Sequence, residues 1–110
     1  LSLVLPAIRA LLRPQGSEAV VLVKPQFEVG RERVGKGGVV RDGLAHRDAI
    51  SSVITAAKSL SWNAQGLVGS PITGPAGNHE YLLWLSEGEP QQITHERVGQ
   101  VVQDTLKSEG

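Results

Sequence analysis

The chain has 110 residues, of which 40% are hydrophobic, and its 11 basic and 11 acidic residues leave a formal net charge of zero. This length allows one small domain with a modest core. Zero net charge excludes attraction of the whole molecule to nucleic acid or anionic lipid, so any nucleic-acid binding requires a local patch. We expect no membrane contact, because no apolar run reaches the about 18 residues of a bilayer span, and a cytoplasmic setting, because the chain has no cysteine.

Metal and disulfide chemistry are also disfavoured by the composition. The chain contains no cysteine, so neither a disulfide framework nor a thiolate metal site is available. Its three histidines, His46, His79 and His95, lack the spacing of zinc ligands and are interpreted as ordinary surface residues. We therefore expect no metal.

The first predicted element is an amphipathic helix over Leu1 to Leu12. Apolar residues recur there at helical spacing, Ser2 is a suitable N-cap, and Pro14 with Gly16 ends the element. Complete domains usually have a strand or a few disordered residues before such a helix. We therefore expect further sequence upstream in the whole protein.

A short apolar run, Ala19 to Val23, predicts a strand buried on both faces, because it is rich in β-branched residues and too short for an ordinary helix. Lys24 follows, and Pro25 cannot donate to a sheet ladder, so the strand should end at the lysine. The amine is thereby predicted at the carboxyl edge of the sheet, where open parallel sheets place their chemistry. The charged, glycine-rich stretch from Glu28 to Arg41 predicts a polar loop that lies over a site.

The remaining elements alternate in type. A helix is predicted from Asp42 or His46 to Leu60, a second strand over Trp62–Val68, and a Pro/Gly turn up to Asn78. Glu80 directly precedes a third strand, Tyr81–Leu85, and an amphipathic helix follows Thr94. The aromatic residues Trp62, Tyr81 and Trp84 are predicted in the core because each lies in a strand-like run.

This element order predicts an α/β fold, namely half of a doubly wound domain. We expect a parallel sheet with a final antiparallel hairpin strand and helices on both faces. The apolar faces of such a half need a partner at the sheet edge. If the chain stands alone, that open edge predicts self-association.

Three segments carry a resemblance to a known family: LVKPQFEVGRERVGKGGVVRD, SPITGPAGNHEYLLWL and the opening LSLVLPAIRALL. They resemble the C-terminal half of the TlyA family, also called haemolysin A or FtsJ-like proteins, which are S-adenosylmethionine-dependent rRNA methyltransferases that modify cytidine 2′-hydroxyls. The resemblance implies that residues 1–110 are part of a Rossmann-like class I methyltransferase domain. It also implies that the cofactor-binding half and an S4-like RNA-binding domain precede residue 1. The isolated chain is then expected to be inactive, with S-adenosylmethionine bound mainly by that preceding half.

The resemblance further implies a Lys-Asp-Lys-Glu catalytic tetrad, in which Lys24 matches the second lysine and Glu80 the closing glutamate. A ribose hydroxyl is a poor nucleophile until its proton is drawn off. An ordinary lysine has a pKa of about 10.4, and desolvation together with a second nearby cation favours the uncharged amine that can act as a base. We therefore predict Lys24 as the base and Glu80 as the carboxylate that orients it.

The predicted partner is ribosomal RNA, or a ribosomal subunit, and six residues are candidates for binding it. The four loop cations either contact rRNA phosphates or form only a solvated charged surface, and both interpretations stay open. Ser70 and Asn78 border the predicted cleft, where they could bond a ribose or base, although Asn78 could equally serve the turn. The four cations are Arg31, Arg33, Lys36 and Arg41.

Two other function classes are weighed against the methyltransferase. A non-catalytic RNA-binding module would bind RNA in a steeply salt-dependent way, and Lys24 would matter no more than any loop residue. A membrane-lytic protein, which the name haemolysin suggests, would need a spanning segment or a strongly basic amphipathic helix. The sequence has neither, so this class is disfavoured.

Overall fold

A computed structural model describes residues 18–87 and 90–107, so the helix predicted over Leu1–Leu12 lies outside the described residues. Three strands and three helices make up the described part, together with 3-10 turns at Arg31–Arg33, Lys36–Gly38 and Pro75–Gly77. The strands are β1 (Glu18–Val23), β2 (Trp62–Gly69) and β3 (Tyr81–Glu87), and the helices are α1 (Pro25–Glu28), α2 (Gly43–Ser59) and α3 (His95–Lys107).

The strands form one sheet in the order β1-β3-β2, and β3 is antiparallel to both neighbours. The predicted hairpin between the second and third strands is therefore confirmed. Because β3 lies between β1 and β2, these two strands point the same way without pairing. The described strands thus contain no parallel pair, in contrast to the parallel sheet that we predicted.

Both long helices pack on the same face of the sheet. The buried side of α2, which includes Ile50 and Val53, belongs to one apolar cluster with Val101 of α3 and with Val23 and Leu83 of the strands. We predicted helices on both faces, and within 18–87 and 90–107 the long helices cover only one. That face contains the core of the described part.

The opposite face explains two predictions that were wrong. Along β1, Val21 and Val23 are buried whereas Val20 is 65% exposed, so the strand is buried on one face and not on both. Trp62 and Tyr81 are buried as predicted, but Trp84 is 45% exposed. Side chains alternate between faces along a strand, and Val20 and Trp84 lie opposite the side that the helices cover.

The helix ends follow from their capping residues. Asp42 is the N-cap of α2 and its side chain accepts a hydrogen bond from the Leu44 N–H at 3.0 Å. At α3 the Thr94 hydroxyl accepts from the Arg97 N–H at 3.1 Å. Of the helices described, none has both the length and the apolar character that a bilayer span requires.

Candidate active site

The register between β1 and β3 determines where the two predicted catalytic residues lie. Val23, the last residue of β1, is paired with Tyr81, the first residue of β3. Lys24 follows Val23, and Glu80 precedes Tyr81. Because the two strands are antiparallel, both residues lie at the same rim of the sheet. β2 ends at this rim too, since Gly69 is also paired with Tyr81 and the Ser70 N–H donates to the Glu80 carbonyl at 2.8 Å.

Lys24 is the N-cap of α1, a one-turn helix that begins at Pro25. Proline suits the first helical position because its fixed φ is already helical and no N–H is needed there. The Lys24 ammonium lies 5.8 Å from the centre of the Phe27 ring, and Phe27 is 69% exposed. The amine is therefore held at the surface of the rim by a cation–π contact, outside the core.

Glu80 is only 5% exposed, which is unusual for a carboxylate. Its side chain lies against the backbone of Gly74, where an added Cβ atom would be 2.6 Å from the Glu80 Cδ. Only glycine at position 74 leaves room for the carboxylate in this place. The Gln26 Nε2 donates to Glu80 Oε2 at 3.0 Å, so the side chain that contacts the carboxylate is Gln26 rather than Lys24.

Asn78 connects the turn before β3 to the charged stretch from Glu28 to Arg41, which we call the basic loop. It is 2% exposed, its Oδ1 accepts from the Val40 N–H at 2.9 Å, and its Nδ2 donates to the Gly38 carbonyl at 2.8 Å. Of the two roles that the sequence left open, the structure favours the one in which Asn78 holds a turn. Both polar atoms of the Asn78 amide are bonded to the backbone of the chain. Contact between Asn78 and RNA stays a prediction.

His46 is fully buried, so its interpretation as an ordinary surface histidine was wrong. Its Nε2 lies 2.7 Å from the Val40 carbonyl oxygen and its Nδ1 lies 2.8 Å from the Tyr81 hydroxyl. A carbonyl can only accept, so Nε2 is assigned the proton and Nδ1 accepts from the tyrosine. Burial raises the pKa of Tyr81, which keeps the hydroxyl in its donating form.

Two other predicted RNA-binding residues, Arg33 and Ser70, are bonded within the chain. Arg33 donates to Asp48 at 2.6 Å and lies 3.8 Å from Asp42, and the hydrogen bond to Asp48 raises the pKa of the guanidinium. Its charge is thus directed toward acids at the start of α2. The hydroxyl of Ser70 donates to the Ile72 carbonyl at 2.9 Å.

The other three loop cations lie at turns or just before a helix. Arg31 and Lys36 each open a 3-10 turn, and Arg41 is an exposed residue just before the N-cap of α2. Within 18–87 and 90–107 no group of three or more His, Asp or Glu side chains could hold a metal ion.

The described part is thus an α/β unit with an amine and a buried carboxylate at one rim of its sheet. Comparison with known proteins then gives the family. The model of the FtsJ-like methyltransferase family matches residues 1–87. The chain belongs to the FtsJ-like methyltransferase family, as the resemblance of its motifs predicted.

Individual relatives agree with this assignment. The chain is 46% identical over 112 residues to the provisionally named rRNA methyltransferase YqxC of Bacillus subtilis, covering 98% of the chain and 40% of that protein. It is 45% identical over 85 residues to the 16S/23S rRNA (cytidine-2′-O)-methyltransferase TlyA of Mycobacterium tuberculosis, covering 77% of the chain and 31% of that protein.

A solved structure shows the same fold. A provisionally named hemolysin from Streptococcus thermophilus superposes with a TM-score of 0.86 at 37% identity, over 96% of the chain and 38% of that protein. The chain therefore spans about 40% or less of the length of the relatives that it matches.

Proposed function

We propose that this chain carries the base and its orienting carboxylate for methylation of a cytidine 2′-hydroxyl in ribosomal RNA. The observation on which this rests is the pairing of Val23 with Tyr81, which brings Lys24 and Glu80 to one rim. The name of the Mycobacterium tuberculosis relative supports the choice of reaction and substrate, because it specifies cytidine 2′-O-methylation of rRNA.

The chemistry assigned to the chain is a proton transfer. Lys24 accepts the proton of the ribose 2′-hydroxyl and so converts a poor nucleophile into a good one. Glu80 is buried at the same rim, and its negative charge attracts the ammonium that Lys24 becomes on accepting the proton, so that this group is oriented toward the rim rather than toward solvent. Lys24 now lies over Phe27, so we propose that it turns toward Glu80 when a nucleotide is bound.

S-adenosylmethionine is the methyl donor that the family implies. Doubly wound sheets bind such cofactors where a strand runs into a glycine-rich turn that opens a helix. In the described part of the chain, β1 leads into Lys24 and Pro25 and β2 into Ser70 and Pro71, and neither connection fits this requirement. We therefore propose that other parts of the full-length protein hold the cofactor, and we expect the isolated 110 residues to leave rRNA unmethylated.

We further propose that the three strands form one side of a Rossmann-like class I domain. In the order β1-β3-β2, β1 lies at one end of the sheet. The edge of β1 that faces away from β3 is paired with none of the described strands. Several further strands added in parallel at that edge would give a mostly parallel sheet with β3 and β2 at its end. If no such strands are present, the same edge favours self-association, because unpaired strand edges bind other strands.

For the RNA we propose contacts from the basic loop and from Ser70 at the same rim. Arg31, Arg33, Lys36 and Arg41 all lie between α1 and α2, on the segment that Asn78 ties to the start of β3. This link keeps the loop beside Glu80, so phosphates next to the target nucleotide would be within the reach of its cations.

The test is the Lys24→Ala variant of the full-length protein, assayed by mass spectrometry of nucleosides from treated rRNA. We expect the rate of methylation to fall by at least about 100-fold, because general-base catalysis contributes roughly 10²- to 10⁴-fold. Thermal unfolding should be unchanged, since Lys24 is at the surface of the rim. Lys58→Ala, at the exposed end of α2, is the matched control and should methylate like the unmodified protein.

Equal methylation by the two lysine variants would overturn the proposal. A protein that binds rRNA with steep salt dependence, but never methylates it, would instead be the non-catalytic RNA-binding module. Leakage of dye from lipid vesicles at micromolar protein would favour the membrane-lytic class.

A further inference from the structure

We propose that Gln26 is the positioning residue for Glu80, an inference that rests on the proposed function. Gln26 Nε2 donates to Glu80 Oε2 at 3.0 Å, across 54 residues of sequence. Glu80 is 5% exposed, and among the described residues Gln26 is the one side chain that hydrogen-bonds to its carboxylate. The orientation of the carboxylate therefore depends on one amide.

The other end of the same amide supports this role. Gln26 Oε1 is buried and has no hydrogen-bond partner among the described residues. A buried acceptor without a partner is unfavourable, so the side chain would adopt another orientation if nothing held it. Reversing the amide would place its oxygen against a carboxylate oxygen, which is worse. The Gln26 orientation is thus set by Glu80, and the two side chains fix each other.

The location of Gln26 makes this bond relevant to the base. Gln26 lies in α1, whose N-cap is Lys24, and the backbone N–H groups of Phe27 and Glu28 both donate to the Lys24 carbonyl. A single helical turn thus carries both the proposed base and the donor that holds the carboxylate. Changing the donor should alter the alignment of Glu80 with Lys24 without removing either group.

The experiment compares Gln26→Leu and Gln26→Glu in the full-length protein. Leucine fills similar space without a donor, and glutamate keeps the shape but replaces the donor by a like charge. We expect kcat for rRNA methylation to fall about 10- to 100-fold in both variants, the range that one hydrogen bond to a charged group supplies. KM for rRNA should stay within about twofold, since Gln26 is assigned no contact with RNA. If Gln26 only filled space, the leucine variant would retain its kcat.

A double-mutant cycle with Glu80→Gln tests whether Gln26 acts through Glu80. In that background we expect Gln26→Leu to lower kcat less than about twofold further, because the charged group that it positions is already gone. Gln65→Leu is the matched control: Gln65 is also partly buried and its amide donates to the Pro90 carbonyl at 2.9 Å, but it lies in β2 away from the rim. It should leave kcat unchanged.

The outcomes separate this inference from the proposed function. Full methylation by both Gln26 variants, with Lys24→Ala inactive, would overturn the role of Gln26 and leave the proposed function standing. Independent, multiplicative effects of Gln26→Leu and Glu80→Gln would also overturn it. An unmodified full-length protein that does not methylate rRNA would refute the proposed function itself.

Discussion

Two buried polar clusters lie next to each other at the rim, and they differ in how completely their groups are paired. In the first, Asn78, His46 and Tyr81 bond one another or the loop backbone through five hydrogen-bonding groups. In the second, Gln26 and Glu80 share one bond, and Gln26 Oε1 has no partner in the described part of the chain. Glu80 and Tyr81 are neighbours in sequence, so the contrast arises between adjacent residues.

The difference indicates different purposes. A fully paired polar cluster stabilises one arrangement of the chain, and here it fixes the basic loop to the start of β3. A cluster with an unpaired buried acceptor is less favourable for stability, and a catalytic role is one reason for keeping such a group. We infer that the first cluster builds the rim and that the second acts at it. Substitutions in the first should therefore lower stability more than those in the second.

The largest expected loss of stability is that of Asn78→Ala. Removing the amide leaves the Val40 N–H and the Gly38 carbonyl without their partner, so we expect the free energy of unfolding to fall by about 2–4 kcal/mol. Urea unfolding of the full-length protein measures it. Ser59→Ala, which removes an exposed hydroxyl bond to the Ala56 carbonyl, is the control and should change stability by less than about 0.5 kcal/mol. Similar values for the two variants would remove the distinction between the clusters.

Gly74→Ala should have a smaller effect on stability and a large one on catalysis. The added methyl group would overlap the Glu80 carboxylate, which must then move. Such overpacking should lower the free energy of unfolding by about 1–3 kcal/mol. Displacement of the carboxylate by about 1 Å should lower kcat about 100-fold. Gly43→Ala is the control, because its added Cβ would meet Leu106 at an ordinary 3.6 Å. A Gly74→Ala variant with full activity would show that the position of Glu80 is unimportant.

Tyr81→Phe should lower stability by about 1–2 kcal/mol at neutral pH, because His46 Nδ1 loses its donor. Burial raises the pKa of Tyr81 in the folded chain above its unfolded value of about 10. The stability that the neutral hydroxyl contributes is therefore complete below about pH 10 and declines as the pH rises further. The difference between the unmodified protein and Tyr81→Phe should narrow above that pH, measured by urea unfolding. A difference that widens there would contradict the buried, donating hydroxyl.

The sequence was sufficient to predict the rim. A β-branched run that ends at Lys24-Pro25 predicts where β1 stops, and an acidic residue directly before an apolar run predicts where β3 starts. Both predictions rely on local signals, namely the missing N–H of proline and the apolar character of strand residues. Together they place Lys24 and Glu80 at the same edge of the sheet.

The contacts inside the rim could not be predicted in the same way. The bond from Gln26 to Glu80 depends on how the side chains of a one-turn helix are directed, and four residues are too few for a periodic pattern. His46 did carry a signal, because His46, Ala49, Ile50 and Val53 fall on one helical stripe at i, i+3, i+4 and i+7. Because histidine is polar, it was not counted among the apolar residues of the buried stripe. Trp84 was placed in the core because an apolar strand does not reveal which of its faces is covered.

The smallest expected change in stability concerns the exposed charges beside the two clusters. Arg33 is paired with Asp48 and Asp42, whose side chains are 64% and 57% exposed, and exposed pairs of this kind contribute little to stability. Asp48→Asn should leave unfolding unchanged but release the guanidinium. RNA affinity at low salt should then rise, and the slope of log affinity against log salt should steepen by up to about one. Fluorescence anisotropy with labelled RNA at several salt concentrations measures this slope, with the exposed Asp104→Asn as control. An unchanged slope would contradict the proposed contact of Arg33 with phosphate.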